Sequence, residues 1–124
     1  MDSCIFCNIG PERIVEKNEW FFAIHDRYPV TALHTLLIPF RHTESYFELT
    51  QLEVEASRVL LHSQRQSILE ADQAVSGFNI GINVGRAAGQ TVMHCHIHLI
   101  PRRSKDVLDP AGGVRGVIPE KQKY

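Results

Sequence analysis

Cysteine is scarce in this sequence. There are only three, Cys4, Cys7 and Cys95, an odd and sparse set that excludes the disulfide framework of small secreted domains. A reducing compartment follows, and a cytoplasmic location is expected. Long apolar runs are also missing. None approaches the roughly 18 residues a membrane-spanning helix needs, and no basic stretch leads into an apolar run as in a secretory leader. Neither sign of charge dominates, with 13 Lys and Arg against 14 Asp and Glu for a net charge of −1. That argues against a surface built for nucleic acid, yet a local anion site needs only a few donors. Repeats, low-complexity tracts and linkers are absent, and a single domain over 1–124 is expected. No phosphate loop of the Walker type, with its lysine, is present.

What is present reads as alternating strands around one helix. Arg13 to Glu16 is a brief candidate strand, and Trp20 to His25 is bulky, aromatic and β-prone. A turn-prone stretch containing Pro29 separates it from the apolar run His34 to Ile38, so the two runs form an antiparallel pair. Thr50-Gln51-Leu52-Glu53 matches a capping box. Apolar residues follow at Leu52, Ala56, Val59, Leu60 and Ile68, largely on one helical face, so the main helix is placed over about Thr50 to Ala71. Gly77 precedes a strand over Phe78 to Val84. A last strand runs over about Val92 to Ile100 and ends at Pro101. This is an α+β architecture, an antiparallel meander of about five strands with one main helix and a short N-terminal segment. In so small a chain a homodimer that extends the sheet or pairs helices is plausible. Little regular structure is expected in the tail.

Seven histidines are the unusual count, and three of them alternate in His94-Cys95-His96-Ile97-His98-Leu99-Ile100. On a strand, His94, His96 and His98 share one face, roughly 6.5–7 Å apart, while Cys95, Ile97 and Leu99 turn to the core. Three imidazoles on a rigid element suit either a three-histidine metal site or nucleophilic catalysis. The preceding loop, Gly85 to Thr91, has glycines that let backbone amides approach an anion, with Gln90 and Thr91 as side-chain donors. Such a loop suits a phosphate better than a bare metal-bound water.

The run Gly89-Gln90-Thr91-Val92-Met93-His94-Cys95-His96-Ile97-His98-Leu99-Ile100-Pro101 resembles the signature of the histidine triad superfamily of nucleotide hydrolases and transferases. The likeness covers Cys4 to about Arg102. Cys4-Ile5-Phe6-Cys7 resembles the family's N-terminal cysteine pair. Phe22-Ala23-Ile24-His25-Asp26 and His34-Thr35-Leu36-Leu37-Ile38-Pro39 resemble its nucleotide-binding hairpin. The resemblance implies a HIT-like fold and gives each residue a role. His96 would be the nucleophile forming a nucleotidyl-histidine intermediate, and His98 would hydrogen-bond phosphate oxygens or the leaving group. His34 would support that site, and Asp26 would hold the ribose hydroxyls. Asn83, Gly89, Gln90 and Thr91 would contact the phosphates, and Phe6, Ile24 and Leu36 would sandwich the base, most often adenine in the family.

By spacing, Cys4-x-x-Cys7 is half of a tetrahedral zinc site. Zinc-bearing members of the superfamily add a histidine after the hairpin and the first of the triad, which implies a structural zinc on Cys4, Cys7, His42 and His94. The tail lacks the tryptophan of the phosphoramidase branch. A dinucleoside polyphosphate hydrolase is therefore the first reading, with a phosphoramidate hydrolase or nucleotidyl transferase next. A non-catalytic nucleotide sensor is disfavoured by the presence of His96, and a metallohydrolase using His94, His96 and His98 is the remaining alternative. Arg102, Arg103 and Lys105 read as a solvated basic loop, Cys95 as core, and His62 as a surface residue of the helix.

Overall fold

The computed structural model describes residues 3–124. Strands β1 (Ile14–Lys17), β2 (Phe21–His25) and β3 (Thr35–Pro39) precede helix α1 (Gln51–Ala71), and β4 (Val75–Gly81) and β5 (Ile97–Arg103) follow it. They build one five-stranded antiparallel sheet in the order β1-β2-β3-β5-β4. The last strand inserts between β3 and β4, so the sheet departs from a plain meander at that point. Short 3-10 turns are the only regular structure of the tail, at Gly113–Val117 and Pro119–Lys121.

The capping box forms as its sequence dictates. The Thr50 side chain accepts from the Glu53 N–H and the Glu53 carboxylate accepts from the Thr50 N–H, which satisfies two orphan donors at the helix start. The buried face of α1 differs from the apolar stripe read from spacing. Ala56, Leu60 and Ile68 pack on the sheet with Phe21, Ala23, Leu37, Ile97 and Leu99. Leu52 and Val59 stay 62% and 50% exposed. Their places are taken by polar groups with partners of their own: Glu53 pairs with Arg41 and the Gln64 amide donates to Glu16.

The boundaries of two strands move for identifiable reasons. The last strand begins at Ile97 rather than near Val92. Continuing the β3 ladder would set Cys95 opposite Pro39, which has no N–H to offer. The Cys95 N–H bonds the Thr43 carbonyl instead, at 2.7 Å. At the other end β5 runs through Pro101 to Arg103. Pro101 lies beyond the last β3 partner, Leu99, and its carbonyl accepts from the Thr31 hydroxyl at 2.6 Å, so its ring interrupts no ladder. The extra length gives Val75 and Gly77 partners in Arg103 and Arg102 across a bulge, and β4 therefore spans 75–81 with Gly77 inside it. In this register residues 83 and 84 lie beyond the start of β5 at Ile97 and have no facing strand.

The face away from α1 carries a second apolar cluster of Phe6, Phe22, Ile24, Leu36 and Ile38. The functional groups collect on this face.

Candidate functional site

Strand register lays out the site. Ile14 faces Ile24, Ile24 faces Leu36, and Leu36 faces His98, one row across four strands. Neighbouring strands are about 4.8 Å apart, so His98 stands roughly 10 Å from the β2 position and 14 Å from the β1 position. Over this row opens a cavity of about 690 Å³. Its apolar end is made by Ile5, Phe6, Ile9, Ile24 and Leu36, and its polar end by Asn83, Gly89, Thr91, His96 and His98. Asp26 also lines it. A mostly apolar hollow with a few convergent polar groups is the usual form of a small-molecule site.

Each histidine of the run has one ring nitrogen committed to a fixed partner. His94 Nε2 donates to the Pro39 carbonyl at 2.8 Å, so its Nδ1 keeps a lone pair. His96 Nδ1 donates to the His94 carbonyl at 2.8 Å, which leaves the Nε2 lone pair free on a residue that lines the cavity. For His98 the order starts further back. The Val30 N–H donates to His34 Nδ1 at 3.0 Å, so the proton of the neutral His34 ring sits on Nε2. That N–H points at His98 Nδ1, 2.9 Å away, and the proton of His98 is left on Nε2. Both rings are held neutral. Burial lowers the pKa of His34 against the opposing pull of Asp26. Burial, then the neighbouring His96 and His34, pushes His98 down to about 4.

The structure thus brings together an imidazole with a free lone pair and an imidazole with a free N–H, their ring centroids 5.2 Å apart. His34 is buried behind His98 and does not line the cavity. Asp26 Oδ1 accepts from the Tyr28 N–H at 2.8 Å, and its other oxygen lies 3.5 Å from His34 Nε2. Gly89 sits at φ +96°, a left-handed conformation that side chains resist, where the Arg86–Ala88 turn gives way to the cavity wall. Gln90 is buried with its amide fully engaged. Its Oε1 accepts from Gly85 N–H, and its Nε2 donates to the carbonyls of Glu44 and Val92. It shapes the loop and is not brought into the cavity.

On the far side of His94 a second cluster forms. Cys4 Sγ lies 3.4 Å and Cys7 Sγ 3.6 Å from His94 Nδ1, and Cys7 Sγ is 3.2 Å from His42 Nδ1. One ligand atom from each of Cys4, Cys7, His42 and His94 falls within 4.8 Å of all the others. Sulfur and nitrogen ligands around a tetrahedral zinc stand roughly 3.3–3.8 Å apart. The donor set fits such an ion, and the His94 tautomer presents the lone pair it requires. Among the described residues, His94, His96 and His98 do not form a cluster of ligand atoms. This leaves the three-histidine metallohydrolase without its site.

The basic residues after the triad are ion-paired away from the cavity, Arg102 to Asp106 and Arg103 to Asp72. Cys95 is buried, and its thiol is pushed up to about 11 by burial, so it is core and unreactive. His62 is exposed on α1.

A family model described as the HIT domain matches residues 9–105. The chain belongs to the histidine triad family. Among solved structures, a zinc-bound histidine triad family protein from Mycobacterium smegmatis has a TM-score of 0.78 and 36% identity, covering 87% of this chain and 81% of that one. The adenylylsulfatase HINT3 of Arabidopsis thaliana is 35% identical over 113 residues, 86% of this chain and 56% of its own length. The diadenosine triphosphate hydrolase of Plasmodium falciparum, solved with Cyclomarin A, has a TM-score of 0.71 and 27% identity, covering 82% of this chain and 68% of that one.

Sequence reasoning missed two contributors. The Val30 N–H that fixes the His34 tautomer is a backbone group with no residue signature. The Arg41 partner of Glu53 lies 12 residues from it across a loop, and the capping box announces Glu53 alone.

Proposed function

We propose that this protein is a nucleotide hydrolase that acts at an α-phosphate through a covalent nucleotidyl-histidine on His96, with dinucleoside polyphosphates as its substrates. The observation that carries the reading is the His96 Nδ1 to His94 carbonyl bond, which commits Nδ1 and leaves Nε2 as the nucleophile of a residue that lines the cavity. In the first step the Nε2 lone pair forms a bond to the α-phosphorus, and the bond to the bridging oxygen breaks. The bridging oxygen keeps the electron pair and leaves on the polyphosphate anion. In the second step water bonds to phosphorus, the P–N bond breaks, Nε2 recovers its pair, and the water proton goes to solvent. The His98 Nε2–H and the Gly89 and Thr91 region offer donors to the charged equatorial oxygens. Asp26 accepts from the ribose, and Asn83 contributes at the phosphate end. Gln90 acts through the loop it holds. His34 is a positioning residue for His98.

The neutral state of His98 favours an anhydride substrate. An acid anion departs without a proton, whereas the amine of a phosphoramidate needs one, and an imidazole with a pKa of about 4 is rarely charged at neutral pH. The adenylylsulfatase relative fits the same rule, because sulfate also leaves as an anion. Phosphoramidate hydrolysis and nucleotidyl transfer stand second.

The Cys4, Cys7, His42 and His94 cluster would hold a zinc ion whose contribution is structural, closing the coordination and tying the N-terminal segment to the triad. The working unit is read as a homodimer built on the open edge of β4, where Ile80 is 51% exposed, and residues 1–124 as one domain. A cytoplasmic location remains part of the proposal. Among the described residues no helix is long and apolar enough to cross a membrane.

The test is rapid quench with diadenosine tetraphosphate, adenylyl sulfate and adenosine phosphoramidate in parallel. Acid-labile label on His96 is expected with the anhydrides. His96→Ala is expected to bind adenosine monophosphate normally while turnover falls by roughly 10⁴-fold or more. Normal turnover by that variant removes His96 from the reaction.

A further inference from the structure

The row Ile14, Ile24, Leu36, His98 fixes the direction in which a nucleotide crosses the sheet. This inference rests on the nucleotide reading above. With phosphate at His96 and His98, at the start of β5, the ribose lies near Leu36 and Asp26. The base lies over Ile24 toward β1, the outermost strand on that side. The end wall the base edge meets is the segment leading into β1, the 3-10 turn Pro11–Arg13. Glu12 of that turn lines the same cavity as the two histidines.

Glu12 has two features that suit it to reading a base. Its carboxylate folds back over Gly10, where a Cβ would collide with it. Gly10 has ordinary extended backbone angles of φ −67° and ψ 139°, so any residue meets its backbone requirement, and the absence of a side chain leaves room for the carboxylate in this position. Among the described residues, Glu12 has neither an ion-pair nor a hydrogen-bond partner. An unpaired acceptor at the end of an apolar slot has one natural complement, an N–H on the edge of the ring stacked there.

We propose that Glu12 is a specificity-determining residue whose carboxylate accepts a hydrogen bond from the exocyclic amino group of the bound base, so that the site selects amino-bearing bases such as adenine. Apolar stacking on Phe6, Ile24 and Leu36 is indifferent to the substituents of the ring. Asn8, Arg13 and Arg27 also line the cavity; the guanidinium groups only donate, so recognition of an amino group falls to an acceptor such as Glu12.

The test compares adenosine monophosphate with purine riboside 5′-monophosphate, which lacks only the amino group, by calorimetric titration of the full chain. Wild-type protein is expected to bind the amino-bearing nucleotide about tenfold more tightly, as a hydrogen bond to a charged acceptor warrants. In Glu12→Ala the two affinities are expected to converge, with the purine riboside nucleotide bound as in wild type. Glu12→Gln, whose amide oxygen still accepts, is expected to retain part of the difference. The turn is exposed, and unchanged melting curves check that both variants fold. Equal binding of the two nucleotides by wild type, or an unchanged ratio in Glu12→Ala, overturns the proposal and leaves the nucleotide reading standing. Failure of both nucleotides to bind wild type overturns the two together.

Discussion

At the residue scale, the chemistry of this site is a matter of which ring nitrogen holds the proton. Three backbone groups, the carbonyls of Pro39 and His94 and the N–H of Val30, decide it for four histidines. Removing a link in that chain is expected to harm turnover more than binding. His34→Ala frees His98 to adopt either tautomer, and kcat is expected to fall roughly 10- to 100-fold with little change in the affinity for adenosine monophosphate; a change confined to affinity would contradict the relay. The same burial makes stability depend on pH. Histidines of the unfolded chain protonate near 6.5, and His98 folded does so only near 4. Between those values the unfolded state binds more protons, so the stabilisation is complete above about pH 6.5 and is lost as pH falls through about 4. His34 shifts in the same direction. Urea midpoints are expected to be flat from pH 8 to 7 and to fall below 6.5. A midpoint that rises on acidification would show these rings to be charged in the fold.

At the element scale, the start of α1 does more than begin a helix. Glu53 is buried there, bridging the Thr50 N–H and the Arg41 guanidinium, with Oε1 at 2.8 Å from each. The Arg41 hydrogen bonds hold its carboxyl below the usual range despite burial. Arg41 adjoins His42 of the cysteine–histidine cluster, and the Thr43 carbonyl beyond it accepts the Cys95 N–H. The helix cap therefore anchors the loop that braces the triad segment. Glu53→Ala removes the buried acceptor of the Thr50 N–H and of the half-exposed Arg41, which keeps its bond to the Glu48 carbonyl, and is expected to cost about 2 kcal/mol, against about 1 kcal/mol for Thr50→Ala. Urea denaturation measures both, and equal costs would reduce Glu53 to an ordinary cap residue.

At the scale of the whole molecule, the sheet presents its two faces to different tasks: α1 covers one, and the other carries the cavity and the cysteine–histidine cluster. The N-terminal segment is joined to the triad through that cluster, so metal content is expected to register as global stability. Purified protein is expected to carry one zinc per chain by elemental analysis, and chelation is expected to lower the melting temperature by at least about 5 °C. A chain free of zinc and indifferent to chelators would leave the cluster as hydrogen-bonded thiols and imidazoles.

Much of the fold was legible because its signals are local. The capping box named the first turn of α1, and a bulky β-prone run and an apolar run placed β2 and β3 within a residue. The histidine run placed Cys95, Ile97 and Leu99 inside, although His94 and His96 lie ahead of β5, and the pattern of Cys4, Cys7, His42 and His94, read through a family resemblance, named groups that do converge. Those features depend on spacing along the chain, which sequence records directly. Strand ends did not come out, because a strand stops where its partner stops, and the partner of Cys95 or of Val75 is chosen across the sheet. Nor did the proton positions, since they are set by main-chain carbonyls and an N–H that look alike at every residue. The role proposed for Glu12 left no sequence signal either, because an exposed carboxylate comes to line the cavity of His96 and His98 only once strand pairing has laid out the row from His98 to Ile14.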